Sequence, residues 1–99
     1  MIKKRFFKTK DEVEITFQWP QGDTQTESVA VAGDFTQWQM IPMKLNKQKV
    51  FTLRLRLAKN DHYQFRYIIN NDIWENDPSA DSYIKNEFGS DNALLSTHG

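Results

Sequence analysis

The sequence contains no cysteine, so it holds neither a disulfide framework nor a thiolate metal site. Histidine occurs only at His62 and His98, far apart in the chain, and there is no H-x-H, H-E-x-x-H or G-x-S-x-G. Metal-assisted hydrolysis and serine catalysis therefore lack their parts. Four scattered glycines spell neither of the phosphate-cradling fingerprints. The opening "MIKKRFFKTKDEVEITF" has the positive charges of a secretory signal but not its apolar run of about seven to fifteen residues. No segment is long and apolar enough to span a bilayer. These absences set the expectation of a cytoplasmic, non-enzymatic chain with no cofactor, no metal and no membrane partner.

Net charge is also missing. Thirteen Lys and Arg balance thirteen Asp and Glu, which removes the electrostatic warrant for a nucleic-acid partner and makes a neutral ligand the easier expectation. The charges are uneven along the chain: Lys3, Lys4, Arg5, Lys8 and Lys10 crowd the start, and acidic residues load the end. This reads as solubility and protection of sheet edges. Asp72, Glu75, Asp77 and Asp81 lie close together, but glycoside hydrolysis needs two carboxyl groups with separated pKa values in a desolvated cleft. Nor do they match the D-x-D-x-D-G calcium loop. Solvated turn chemistry is the better reading of all four.

What the sequence does have is aromatic residues. Three Trp, three Tyr and seven Phe in 99 residues exceed what one modest core needs, so some are expected to face solvent. The dominant pattern is a two-residue alternation of apolar and polar side chains, the mark of half-buried strands. Val13, Ile15, Phe17 and Trp19 alternate with polar residues until Pro20 and "QGDTQTE" break the pattern. Ser28 to Gly33 reads as a second strand ending at the turn signal Gly33-Asp34. Phe51, Leu53, Leu55 and Leu57 form the clearest strand, and in the next one Tyr63, Phe65, Tyr67 and Ile69 oppose Gln64, Arg66, Ile68 and Asn70. After "NND", Ile73 and Trp74 lie on a short return strand. Asn92 to Thr97 reads as the last strand, the first ten residues as an edge strand, and "SADSYIKNEF" as one irregular turn. No segment carries a sustained helical period. The fold class is therefore all-β, an immunoglobulin-like antiparallel β-sandwich or a small barrel, in a single domain over 1–99.

Trp38 and Trp74 each follow a turn, and Arg66 lies on the polar side of the aromatic strand. Flat rings with polar tips suit the CH-rich face of a glucose ring, while Arg, Asn and Ser can hydrogen-bond its hydroxyls. By pattern alone each of these tryptophans is as readily packed in the core or a loop, and Trp19 belongs to a core face.

The stretch "VAVAGDFTQW" resembles the V-x-G-x-F-N-x-W opening of family-48 carbohydrate-binding modules. These are early-set sandwiches of the isoamylase N-terminal type, found in glycogen-branching and debranching enzymes and in the beta subunit of AMP-activated protein kinase. "HYQFRYIINNDIWENDPSADSYIKNEFGSDNALL" resembles their second signature: an aromatic strand with an outward basic residue, a turn, a Trp, "NDP", then "FG" before an Asn. Together these motifs span about residues 27–96. The resemblance implies non-catalytic binding of an α-1,4-glucan such as glycogen or maltodextrin. It makes Trp38 and Trp74 the stacking pair, Arg66 the basic residue between them, Phe88 an apolar insertion, and Ser90 and Asn92 polar contacts. Gly33, Phe35, Asp77 and Pro78 look like fold-determining positions. Thr36 stands where Asn is usual, Gln37 where Gly is frequent, and Asn70-Asn71 where Asp-Gly is common. In the family the module normally sits beside a catalytic or regulatory domain, whereas this sequence reads as a standalone, bacterial-type version. The alternative reading is a protein-protein interaction or regulatory module with a weak or vestigial sugar site, its partner being a protein such as a glycogen-metabolising enzyme.

Overall fold

The computed structural model describes residues 2–22, 25–86 and 89–98. In chain order the strands are β1 (Ile2–Phe6), β2 (Glu12–Pro20), β3 (Val29–Gly33), β4 (Ile41–Pro42), β5 (Lys44–Leu45), β6 (Val50–Ala58), β7 (His62–Ile69), β8 (Ile73–Glu75), β9 (Ser82–Lys85) and β10 (Asp91–Ser96). A 3-10 turn over Asp34–Thr36 follows β3. The strands form two antiparallel sheets, one in the order β1-β2-β6-β5 and one in the order β4-β3-β7-β10-β9. β7 bonds β3 along one edge. On its other edge β10 pairs residues 62–65 and β8 pairs residues 67–69. This is an immunoglobulin-like early-set sandwich.

The alternation read from the sequence decides which side of each strand faces inward. Val13, Ile15 and Phe17 of β2 are buried against Val29, Val31, Phe65, Tyr67, Ala93 and Leu95 of the second sheet. Phe17 lies 5.3 Å, edge to face, from Phe65 and 5.5 Å, stacked, from Phe35. Trp19 packs on Tyr67 at 4.9 Å, as its place on a core face predicts.

Several details depart from the sequence reading. "SADSYIKNEF" contains strand β9 rather than an irregular turn, because pairing with β10 recruits residues 82–85 although all four are exposed. Asp77 is not solvated: it is 0% exposed, accepts the Tyr67 hydroxyl at 2.6 Å, and accepts the Ser79 amide and hydroxyl at 2.8 Å each. Burial, the largest influence, pushes its carboxyl upward, but the hydrogen bonds outweigh it and the pKa falls below the ordinary value. Burial raises the Tyr67 phenol, helped by its bond to Asp77 and by that residue's charge. Asp81 is also engaged, with Lys4 at 2.6 Å and the Ser96 amide at 2.8 Å, which ties β1 to the edge of the second sheet. His62 and His98, distant in sequence, pack with ring centroids 4.7 Å apart.

Candidate functional site

The outer face of the second sheet is defined by register, since paired residues of neighbouring strands point to the same side. Tyr67 and Phe65 point inward, so Gln64, Arg66 and Ile68 point outward. Their partners follow: Ala32 opposite Arg66, Trp74 opposite Ile68, Leu94 opposite Gln64, and, two residues from Leu94, Asn92 opposite Ile84. Ala30, Ala32 and Ile68 form a small buried cluster on this face. Trp74 reaches it through a hairpin whose three-residue connection is Asn70, Asn71 and Asp72; Asn70 and Asn71 both have positive φ (54° and 57°) and the Asp72 amide bonds the Ile69 carbonyl at 3.1 Å. Asparagine tolerates that conformation. The Asn70 side chain also accepts from the Glu27 and Ser28 amides and donates to the Gln25 carbonyl, holding the loop before β3.

Trp38 arrives from the other direction, through the 3-10 turn. Gly33 is extended (φ −172°), so its requirement is space: a Cβ there would lie 2.5 Å from the Gln64 carbonyl oxygen and 2.8 Å from Phe65 Cβ. Thr36, which stands where Asn is usual, closes the turn through its own hydroxyl. Its hydroxyl accepts the Gly33 amide at 3.1 Å and donates to the Gln39 carbonyl at 2.8 Å. Gln37 and Trp38 then adopt left-handed backbone (φ 56° and 61°), closed by the Trp38 amide on the Gly33 carbonyl at 2.9 Å. Asp34 orients the indole. Its Oδ1 accepts Trp38 Nε1 at 3.2 Å, and its Oδ2 accepts the Gln64 amide at 2.8 Å.

Trp38, Arg66, Trp74 and Asn92 together line one open groove of about 770 Å³, with Asp34, Gln64, Ile84, Lys85 and Asn86 completing its walls. Both tryptophans are exposed, at 37% and 41%. The Arg66 guanidinium donates through Nη2 to the Trp74 carbonyl at 3.3 Å, and its buried Nε has no hydrogen-bond partner among the described residues. Asn92 donates to Gln64 Oε1 at 3.1 Å and accepts from Asn86 at 3.3 Å. Ser90 is not among the groove-lining residues; it bonds Asn86, which is, at 2.9 Å. Phe88 lies outside the described residues. Sequence reasoning missed Gln64, Asn86 and Ile84. For Gln64 the signal was present in its place two residues from Arg66, whereas Ile84 lies in, and Asn86 just after, a strand whose pattern carries no burial period.

Two exposed tryptophans and several amide side chains thus face one open groove on an early-set sandwich. Residues 13–98 match the family model described as the glycogen recognition site of AMP-activated protein kinase, and the chain belongs to that family. No curated protein sequence matches significantly. Among solved structures, the enterobactin esterase from Shigella flexneri, crystallised with 2,3-dihydroxy-N-benzoyl-serine, is similar over 97% of this chain, with a TM-score of 0.73 and 16% identity. The likeness is one of fold, and the chain spans 32% of that esterase's length. Among the described residues no helix is long and apolar enough to cross a membrane.

Proposed function

We propose that the groove binds an α-1,4-glucan of the glycogen or maltodextrin class without chemically altering it. Trp38 and Trp74 stack on successive glucose rings, while Arg66 and Asn92 hydrogen-bond the hydroxyls between them. The observation that carries this reading is the meeting of both exposed tryptophans, delivered by two separate turns, in one groove with Arg66. Each stacked ring contributes on the order of 1 kcal/mol, by analogy with aromatic pairs. Short oligosaccharides therefore bind in about the millimolar to tens-of-micromolar range, and a polymer gains from repeated sites. A non-catalytic role is supported by the groove's acid content: among its described lining residues the carboxylate is Asp34, already engaged by Trp38 and Gln64, where glycoside hydrolysis uses two. In native gels containing glycogen the wild-type chain is retarded and Trp38→Ala and Trp74→Ala are not; unretarded wild type overturns the reading. Incubation with maltoheptaose leaves the oligosaccharide intact.

A further inference from the structure

The neutral chain is divided by its topology into two oppositely charged halves. Residues 2–20 and 43–60, which build the β1-β2-β6-β5 sheet and its turns, hold eleven Lys and Arg against three Asp and Glu; the rest holds two against ten. Register arranges part of this charge on the outer face of that sheet. Lys3, Thr16 and Arg54 form one cross-strand row, and Arg5, Glu14 and Arg56 form the next. Four cations thus stand at the corners of a rectangle, about 7 Å along the strands and about 10 Å across β2, with the Glu14 carboxylate between two of them. Phe7 steadies the second row: the guanidinium groups of Arg5 and Arg56 lie 5.3 and 5.0 Å from its ring centroid. The ion pairing on this face among the described residues is a long one, Arg56 to Glu12 at 3.9 Å.

We propose that this face is a docking surface for an acidic protein surface, one whose carboxylates meet Lys3, Arg5, Arg54 and Arg56 around a group of opposite sign facing Glu14. The four cations outnumber the Glu12 and Glu14 carboxylates on the same face, so it keeps a net positive charge that a partner of opposite sign neutralises. The central carboxylate selects the class of partner. A phosphate backbone or an anionic lipid surface brings uniform negative charge onto Glu14, whereas a protein surface can present the complementary mixed pattern. Arginine beside a half-buried aromatic residue, here Phe7, is also the composition of protein interfaces. The face lies on the opposite side of the sandwich from the groove, so both can be occupied together.

The probe is a glutamate-rich glutamate–lysine copolymer, titrated into the chain at about 150 mM salt, where screening acts over about 8 Å. Polyuridylate RNA and phosphatidylserine–phosphatidylcholine vesicles form parallel arms. The copolymer is expected to bind wild type, and the Arg5→Glu/Arg56→Glu double variant to bind it about tenfold more weakly or less, with glycogen retardation unchanged. Arg54→Gln/Arg56→Gln serves if the reversed variant fails to fold. The proposal is overturned if no copolymer binding is seen, if RNA or vesicles bind as tightly as the copolymer, or if a folded variant retains it in full. Since glycogen retardation is read separately, failure here leaves the glucan reading intact, and the reverse.

Discussion

The indole N–H of Trp38 donates to Asp34 at 3.2 Å, and the same carboxylate accepts the Gln64 amide at 2.8 Å. One side chain therefore ties Trp38 to the strand that carries Arg66. Asp34→Ala frees the indole to rotate and leaves the Gln64 amide without this acceptor. Glucan affinity should fall about tenfold, equivalent to about 1.4 kcal/mol, with a stability loss of about 1 kcal/mol. Calorimetric titration with maltoheptaose alongside thermal unfolding separates the two effects; unchanged affinity shows that Trp38 needs no such support.

Gly33 is held by close approach rather than by φ. In Gly33→Ala the added methyl meets the Gln64 carbonyl and Phe65 Cβ well inside contact distance, and β3 must move away from β7. A destabilisation of about 1–3 kcal/mol is expected, together with weaker glucan binding, because the turn bearing Trp38 starts at this residue. Denaturant unfolding measures the first and gel retardation the second.

Gln37 sits in left-handed backbone, where a Cβ costs about 1 kcal/mol or more. Replacement by glycine relieves that cost and admits more freedom to the unfolded chain, so Gln37→Gly should raise stability by about 1 kcal/mol or less. Glucan affinity should be unchanged if the turn keeps its shape, and a loss of stability in this variant refutes the strain argument.

The Tyr67–Asp77 pair predicts stability losses at both ends of the pH scale. Asp77 has a lowered carboxyl pKa in the folded chain, so its contribution is complete above the ordinary carboxylate value and is lost as pH falls through the depressed one. Tyr67 has a raised phenol pKa, so its contribution is complete below about 10 and declines as pH rises beyond that, where the unfolded chain ionises first. Tyr67→Phe should cost about 1–3 kcal/mol at neutral pH by removing a donor from a buried carboxylate, and should flatten both limbs. Unfolding midpoints across pH for wild type and variant check this.

Alternation made legible the strands with one more buried and one more exposed face, while the buried β3 and the exposed β8 were read from the turn signals beside them. β2, β6 and β7 alternate because each lies on the core, and alternation is a property of the chain itself. β4 and β5, two residues each, and the fully exposed β9 have no such period; they exist because a neighbouring strand offers hydrogen bonds. The outward side of Gln64, Arg66 and Ile68 followed from the same alternation, and the positive-φ turn at Asn70-Asn71 from asparagine's tolerance of it.

Sequence by itself thus determined an all-β chain, its core faces and several of the residue types that line the groove, since these depend on local periodicity and on short motifs. It did not determine where Trp38 and Trp74 would sit relative to each other, because nothing local relates two turns thirty-six residues apart. The register of β3 and β8 on β7 and the close approach at Gly33 settled that. Nor could a net charge of zero reveal the basic face: Lys3 and Arg5 become neighbours of Arg54 and Arg56 because β2 pairs with both β1 and β6. Electrostatic fields follow distance in space, and tertiary structure alone supplies those distances.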